Sequence, residues 1–227
     1  MTEKLSPAVV TGSTDPRHWR VRLRALRATF TSEDYPRLAT FVARVAATAD
    51  ELGHHPDLTL SWGRASVSTT THDVRGLTAR DVELATRISA IADDLGLGST
   101  VPGGSTLEIA IDALDLAAVW PFWAAVLDYD AHVTGADTGR PDDLDVELVD
   151  RDGLGPSFWF QQMDAPRPQR NRLHVDVTVA PDEAQLRIEA ALAAGGTLVS
   201  DAAAPNFWVL ADAEGNEACV TTWQARS

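Results

Sequence analysis

Cysteine is almost missing from this sequence: Cys219 is the only one among 227 residues. A single cysteine excludes an intrachain disulfide and any zinc site built from several thiolates. The N-terminal residues lack the apolar segment of a signal peptide, and no apolar run approaches the roughly 20 residues of a membrane helix. These absences predict a cytoplasmic protein with no membrane partner.

Basic residues are scarce in the second half of the chain. Residues 1–104 carry 12 basic and 12 acidic side chains, whereas residues 105–227 carry 7 basic and 21 acidic ones, so the net charge of −14 falls in the second half. An acidic surface repels phosphate backbones, and nucleic acid is therefore not an expected partner. The asymmetry indicates two domains, and a Gly-, Ser- and Pro-rich stretch predicts a linker over residues 98–104.

The first half shows strand and helix patterns after a predicted flexible arm over residues 1–15. Apolar residues alternate with arginines over Trp19–Arg24, which predicts one half-buried strand. Two segments with apolar residues at helical spacing predict helices. The Thr-, Ser- and Val-rich stretch between them predicts two strands, or one strand bent near Gly63. Residues 16–97 are thus predicted to form an α+β domain, an antiparallel sheet with helices packed on it.

An internal repeat fills the second half. Each copy opens with a short alternating strand, at Leu107 and at Leu173. A helix with an acidic start follows, and further strand-like segments end the copy. The order β-α-β-β-β therefore occurs twice within residues 105–227. Paired modules of this kind can curl their sheets around one shared cleft.

A histidine-rich segment is the strongest candidate for chemistry. Three of the six histidines stand within nineteen residues: His54, His55 and His72. A neutral imidazole accepts a proton and an imidazolium donates one near pH 7, so such a set suits acid/base catalysis. Pro56 keeps His55 extended and favours a turn, and His72 can meet the pair across neighbouring strands. Asp81 has capping-box spacing from Thr78, and an acid there can still reach an imidazole.

Two other interpretations of these histidines stay open. A His-His pair is often only a feature of a surface loop. Three histidines can also hold zinc, although their spacing here is not that of a helix-borne His-x-x-x-His metal pair.

The same region, ADELGHHPDLTLSWGRASVSTTTHDVRGLTARDVELA, resembles the signature of the pterin-4a-carbinolamine dehydratases. Seven positions agree with the family motif in order and spacing: Asp50, His54, His55, Pro56, Trp62, His72 and Asp81. A further string that includes Thr71 and Asp73 matches the family without a gap. The resemblance covers Trp19–Leu97 and departs at Leu58, where the family usually has an aromatic residue.

This resemblance implies dehydration of 4a-hydroxytetrahydropterin to quinonoid dihydropterin. Hydroxide is a poor leaving group, so an acid must protonate it while a base takes the N5 proton. No metal or redox cofactor is required, and a pterin-dependent hydroxylase would supply the substrate. We hypothesise that His54 and His72 are the acid/base residues, in an order that the sequence does not assign, and that His55 binds the pterin or shares the proton transfer. Asp81 would orient one imidazole or stabilise its charge. The implied substrate-binding residues are Asp50, Pro56, Trp62, Thr71 and Asp73.

The second half resembles the glyoxalase-like branch of the vicinal oxygen chelate superfamily, on segments such as FWAAVLDY, FWFQQ, NRLHVDVTV and ADAEGNEACV. In that superfamily four strand positions usually bind a divalent metal through His and Glu. The corresponding positions here are Leu107 or Glu108, then Gln161, His174 and Cys219, with Glu217 two residues before the last. Because only His174 matches clearly, the ligand set suits metal chemistry poorly. We expect a metal-free module that binds a ligand or forms dimers, with a cleft at Glu108, Gln161, His174 and Glu217.

Two other functions are alternatives to the dehydratase. One is a metal-dependent lyase or dioxygenase seated in the C-terminal cleft, and the other is a non-catalytic binding or assembly protein. Exposed strand edges in both domains favour a homo-oligomer.

Overall fold

The computed structural model of the protein describes residues 3–100, 106–136, 144–166 and 173–224. The chain divides into two compact units, Met1–Thr106 and Leu107–Ser227, and each has its own hydrophobic core. Both units mix helices with strands, so the predicted α+β class is confirmed. Within the described segments, no helix combines the length and apolar character needed to cross a membrane.

The first unit is one antiparallel sheet with helices packed on one face. Its elements in chain order are α1 (Pro7–Ser13), β1 (Arg20–Arg22), β2 (Ala25–Thr31), α2 (Tyr35–Leu52), β3 (Asp57–Ser61), β4 (Arg64–Thr69), α3 (Ala79–Asp94) and β5 (Gly98–Thr100). The strand order is β1-β2-β4-β3, and β5 pairs with the end of β2. The stretch around Gly63 is therefore two strands joined in a hairpin, one of the two predicted forms.

The central strand β2 buries every second side chain against the helices, as its period-2 alternation predicts. Leu26, Ala28 and Phe30 are buried, whereas the residues between them are half-buried on the other face. Burial of one large apolar side chain stabilises the fold by roughly 1.5–3 kcal/mol. The helix α2 packs Leu38 and Phe41 into the same core and ends at Gly53, whose φ of 57° closes the helix directly before the histidine pair.

The N-terminal segment is a helix where a flexible arm was predicted. The Ser6 side chain caps α1, and Pro7 occupies the first turn, where its missing N–H costs nothing. Val10 is fully buried in the core of the first unit, which orders the helix by apolar burial. Three residues of the predicted linker, Gly98–Thr100, form β5. The rest of that linker lies outside the described residues.

The arginine-rich segment also differs from its prediction, because it is a hairpin and not a single strand. Strands β1 and β2 pair through Val21 and Leu26, and Leu23 lies in the turn between them with φ of 51°. Left-handed backbone is unusual for a leucine. Leu23 is half exposed as a result.

The second unit repeats one β-α-β-β-β module, as the sequence predicts. The first module contains β6 (Glu108–Ala113), α4 (Leu116–Leu127), β7 (Asp130–Thr134), β8 (Asp145–Val149) and β9 (Ser157–Gln162). The second contains β10 (Val175–Thr178), α5 (Pro181–Ala193), β11 (Thr197–Ser200), β12 (Phe207–Ala211) and β13 (Glu217–Thr221). The first and last strands of each module run parallel and adjacent, and the other pairs are antiparallel. The helices α4 and α5 pack against each other.

A buried carboxylate joins the two modules of this unit. Asp212, after β12, is almost fully buried and accepts a hydrogen bond of 2.9 Å from the Trp123 indole in α4. The neighbouring Glu214 accepts hydrogen bonds from the backbone amides of Leu114 and Asp115, at the start of α4. The turn after β12 in the second module therefore accepts hydrogen bonds from donors in and before α4 of the first module.

We expect Trp123→Phe to lower the free energy of unfolding of the second unit by about 1–3 kcal/mol, because it leaves the buried Asp212 without one donor. Urea unfolding followed by circular dichroism measures this loss. Trp223→Phe is the matched control, since it removes a tryptophan that is 70% exposed. Equal unfolding midpoints for the two variants would contradict the bridging role of the indole.

Candidate functional site

The Asp81 carboxylate is the centre of the candidate site, and it is completely buried. Asp81 lies in the first turn of α3 and accepts a 2.8 Å hydrogen bond from the backbone amide of Thr78. The Thr78 side chain in turn accepts a hydrogen bond from the amide of Arg80. The structure thus contains the capping box that the spacing predicts. It places a carboxylate inside the first unit at the start of a helix.

Four side chains donate hydrogen bonds to this carboxylate, the longest of them from Thr78 Oγ1 to Oδ2 over 3.3 Å. His54 Nε2 and Thr69 Oγ1 each lie 2.8 Å from Oδ1, and Thr71 Oγ1 lies 2.7 Å from Oδ2. Burial raises the pKa of Asp81, but the hydrogen bonds from His54, Thr71, the Thr78 amide and Thr69 together hold this pKa below its ordinary value. Asp81 is therefore a buried, ionised group at neutral pH.

The His54 ring is held in one orientation by this carboxylate. His54 follows Gly53, which has left-handed backbone, and the His54 backbone amide donates a hydrogen bond to the Ala49 carbonyl. The His54 side chain is 7% exposed. A carboxylate can only accept, so His54 Nε2 must carry the shared proton. In the neutral ring, Nδ1 is then left as the proton acceptor.

His72 lies on the surface beside this buried pair. It opens a 3₁₀ turn, His72–Val74, directly after the Thr71 that contacts Asp81. The imidazole is exposed and has no hydrogen-bond partner among the described residues. Thr71 and Gly76 exchange backbone hydrogen bonds of 2.8 and 3.3 Å, which close the loop that carries the histidine. The position of the His72 imidazole therefore follows the loop that carries it.

Four other predicted residues of the motif are exposed or half-buried and lie near the pair in the chain. His55 is exposed, and its Nε2 lies 3.8 Å from Oδ1 of the still more exposed Asp50, a contact of little energetic value. The half-buried Pro56 follows, and Asp73 is exposed in the 3₁₀ turn. One histidine of the pair is thus buried and the other faces solvent, as expected for adjacent residues on extended backbone.

Trp62 is the one predicted binding residue that the chain does not bring to this site. It lies in the β3–β4 turn, at the opposite end of the hairpin from Thr69. The strand between them, Arg64–Thr69, spans roughly 17 Å at about 3.3 Å per residue. Trp62 is 79% exposed and stacks on Tyr35, with ring centroids 6.1 Å apart.

Thr69 is a site residue that sequence reasoning missed. The inward positions of β4 are Ala65, Val67 and Thr69, and all three are buried. A hydroxyl in an otherwise apolar alternation must find a hydrogen-bond partner when it is buried. The threonine in this apolar pattern was the sequence signal for a buried polar contact. In the structure its hydroxyl contacts Asp81 and His54.

The four predicted cleft residues of the second unit divide between its two modules. Glu108 on β6 and Gln161 on β9 are exposed and lie on the same face of their sheet. On the other sheet, Glu217 starts β13 and His174 immediately precedes β10. These four residues thus lie on two separate sheets, two on each.

A closer cluster in the second module consists of His174, Asp176 and Cys219. Their ligand atoms all lie within 4.8 Å of one another, and His174 Nε2 is 3.3 Å from Asp176 Oδ1. Burial, and then the charge of Asp176, raise the pKa of Cys219 to about 11, so its thiol keeps its proton at neutral pH. One nitrogen, one oxygen and one sulfur differ from the His and Glu ligand set of the superfamily's divalent-metal site. No chemical step is assigned to a metal here.

Comparisons with known proteins match each unit separately. The family model for pterin 4 alpha carbinolamine dehydratase matches residues 3–91, and the model for a glyoxalase-like domain matches residues 108–221. A protein of Thermosynechococcus vestitus, named "putative pterin-4-alpha-carbinolamine dehydratase", is 42% identical over 93 residues, which are 40% of this chain and 98% of that protein.

Two solved structures are similar to the two units. The crystal structure of a transcriptional coactivator/pterin dehydratase from Brucella melitensis is 26% identical, with a TM-score of 0.37, and the match covers 40% of this chain and 99% of that one. The fosfomycin resistance protein FosX from Mesorhizobium loti is 12% identical, with a TM-score of 0.40, over 54% of this chain and 92% of that one.

Proposed function

The chain belongs to the pterin-4a-carbinolamine dehydratase family in its first unit and to the glyoxalase-like domain family in its second, and from that premise we propose that the first unit dehydrates a 4a-hydroxytetrahydropterin to the quinonoid dihydropterin. The observation that carries this proposal is the buried His54–Asp81 pair, with the exposed imidazole of His72 close in the chain to the donors of Asp81. A buried carboxylate that orients a histidine is a common arrangement for moving a proton.

The chemistry needs one proton delivered and one removed. The C4a–O bond breaks as its hydroxyl takes a proton and leaves as water. The N5–H bond breaks, and its electron pair forms the double bond between N5 and C4a. We assign the N5 proton to Nδ1 of His54, because Asp81 holds the other nitrogen as a donor. We assign the acid to His72, because its exposed imidazole is the other histidine near Asp81 in the chain and can exchange protons with solvent.

The exposed residues beside the pair then bind the substrate. His55, Asp50 and Asp73 offer a ring nitrogen and two carboxylates to the N–H groups of a pterin. The second unit has an accessory role in ligand binding or dimerisation, and the reaction requires no metal. A pterin-dependent hydroxylase is the proposed source of the substrate.

We expect His72→Ala to slow catalysed dehydration by about 100-fold or more, the usual contribution of a positioned acid or base. The measurement follows the decay of freshly generated 4a-hydroxytetrahydropterin with the full chain. His132→Ala is the control, because this histidine lies on β7 in the second unit.

Two results would contradict the proposal. One is a wild-type protein that dehydrates the substrate no faster than buffer alone. The other is a His72→Ala variant that retains the wild-type rate while His132→Ala behaves in the same way.

A further inference from the structure

Lys4 is the only lysine among the 227 residues, and it lies against the loop that carries His72. We call residues 71–78 the histidine loop, and we call Lys4 and Leu5 the brace. The brace precedes α1, whose buried Val10 fixes this segment to the core of the first unit. Leu5 packs against the same core. The brace is thus an ordered part of the first unit.

Two hydrogen bonds join the brace to the histidine loop. The Leu5 amide donates to the carbonyl of Leu77 over 2.7 Å, and the Lys4 ammonium donates to the carbonyl of Arg75 over 3.1 Å. Arg75 closes the 3₁₀ turn that begins at His72. A cation at the carbonyl end of a helical turn is electrostatically favourable.

Gly76 shows how closely the brace and the loop approach each other. A Cβ placed on Gly76 would overlap Cε of Lys4 and contact the neighbouring atoms of that side chain. The Lys4 stem therefore lies directly on the loop backbone, in the space that a glycine leaves open. The φ of Gly76 is not in the left-handed region. An alanine at this position would therefore clash with the Lys4 stem without straining the backbone.

The two ends of the histidine loop are fixed to the first unit, because Thr71 and Thr78 bond to Asp81 and Leu77 is buried in the core. The 3₁₀ turn has no side-chain cap, and Arg75 has left-handed backbone with φ of 47°. The imidazole of His72 has no hydrogen-bond partner within the described part of the chain. The position of this imidazole therefore follows the loop backbone, and a misplacement of about 1 Å in an acid/base group can cost as much as 100-fold in rate.

We propose that Lys4 and Leu5 position His72 for catalysis through their hydrogen bonds to the backbone of the histidine loop. This inference rests on the proposed dehydratase activity. Lys4 is a positioning residue in this account, because it contacts the loop backbone and not the reacting atoms. The variants that test it are Lys4→Ala, Lys4→Met and Gly76→Ala in the full chain, together with the double variant Lys4→Ala/Gly76→Ala.

The double variant gives the sharpest result. We expect kcat to fall about tenfold in Lys4→Ala and in Gly76→Ala, with little change in KM or in melting temperature. The double variant should lose no more than either single one, because the alanine methyl occupies the space that the lysine stem leaves. Lys4→Met keeps most of the stem and should lose less than Lys4→Ala. Arg44→Ala, which removes a surface ion pair with Asp94, is the control and should match wild type.

Amide hydrogen exchange separates this inference from the proposed function. We expect the amides of Arg75 and Gly76 to exchange several-fold faster in Lys4→Ala than in wild type, whether or not the protein is active. If the wild type is inactive, the proposed function is wrong, and the exchange rates alone decide whether the brace holds the loop. A wild-type kcat in Lys4→Ala overturns the inference. So does a double variant whose loss equals the product of the two single losses.

Discussion

His54→Ala is expected to lower the rate of dehydration by about 100-fold or more and the free energy of unfolding of the first unit by about 3 kcal/mol. The two effects have separate causes. The activity falls because the substitution removes the proton acceptor at Nδ1. The stability falls because Asp81, which is fully buried and ionised, loses the donor that lies 2.8 Å from its Oδ1. Progress curves and urea unfolding of the same preparation measure both.

A second substitution at the same position separates these causes. The side-chain amide of glutamine can donate a hydrogen bond to Asp81, but it cannot gain or lose a proton near neutral pH. We therefore expect His54→Gln to recover most of the lost stability and none of the lost activity. A His54→Gln variant with wild-type activity would contradict the role of His54 as a base. A His54→Ala variant as stable as wild type would contradict the energetic coupling to Asp81.

Asp81→Asn is expected to lower the free energy of unfolding of the first unit by about 2–3 kcal/mol at neutral pH. The carboxylate accepts hydrogen bonds from His54, Thr69, Thr71 and the Thr78 amide. An asparagine must turn its NH₂ group toward some of these donors, which leaves buried groups unsatisfied. The dehydration rate should fall as well, because His54 loses the carboxylate acceptor that orients its ring.

The pH dependence of stability tests the state of the same carboxylate. The pKa of Asp81 is lower in the folded protein than its ordinary value, so its ionised form stabilises the fold above the unfolded-state pKa of about 3.9. This contribution is lost as the pH falls from about 4 through the lower folded-state pKa. Wild type should therefore lose stability more steeply than Asp81→Asn below about pH 4. Parallel urea midpoints for the two proteins from pH 7 to pH 2 would contradict this account.

Much of the fold follows from local patterns in the sequence. The alternation of Leu26, Ala28 and Phe30 predicts a strand with one buried face, and the β-α-β-β-β repeat predicts both modules of the second unit. The capping box of Thr78 and Asp81 is likewise present. These signals succeed because each depends on neighbours within a few residues, where period and capping chemistry decide the conformation.

The remaining differences arise from contacts between residues that are distant in the chain. The segment that forms α1 is predicted to be a flexible arm, yet its Val10 becomes ordered by burial in a core that other elements build. The turn at Leu23 has no glycine or asparagine to mark it, so pairing between β1 and β2 determines it. Trp62 matches the motif in spacing, but hairpin geometry carries it away from His54. Spacing alone cannot reveal such tertiary effects.

The measurement that tests the central claim most directly is the decay rate of freshly generated 4a-hydroxytetrahydropterin after chelator treatment of the protein. It compares buffer, wild type and a His54→Gln/His72→Ala double variant that keeps a donor to Asp81. The account predicts chelator-resistant catalysis by wild type and decay at the buffer rate with the double variant. Decay at the buffer rate with wild type, or at the wild-type rate with the double variant, would contradict a metal-free histidine mechanism in the first unit.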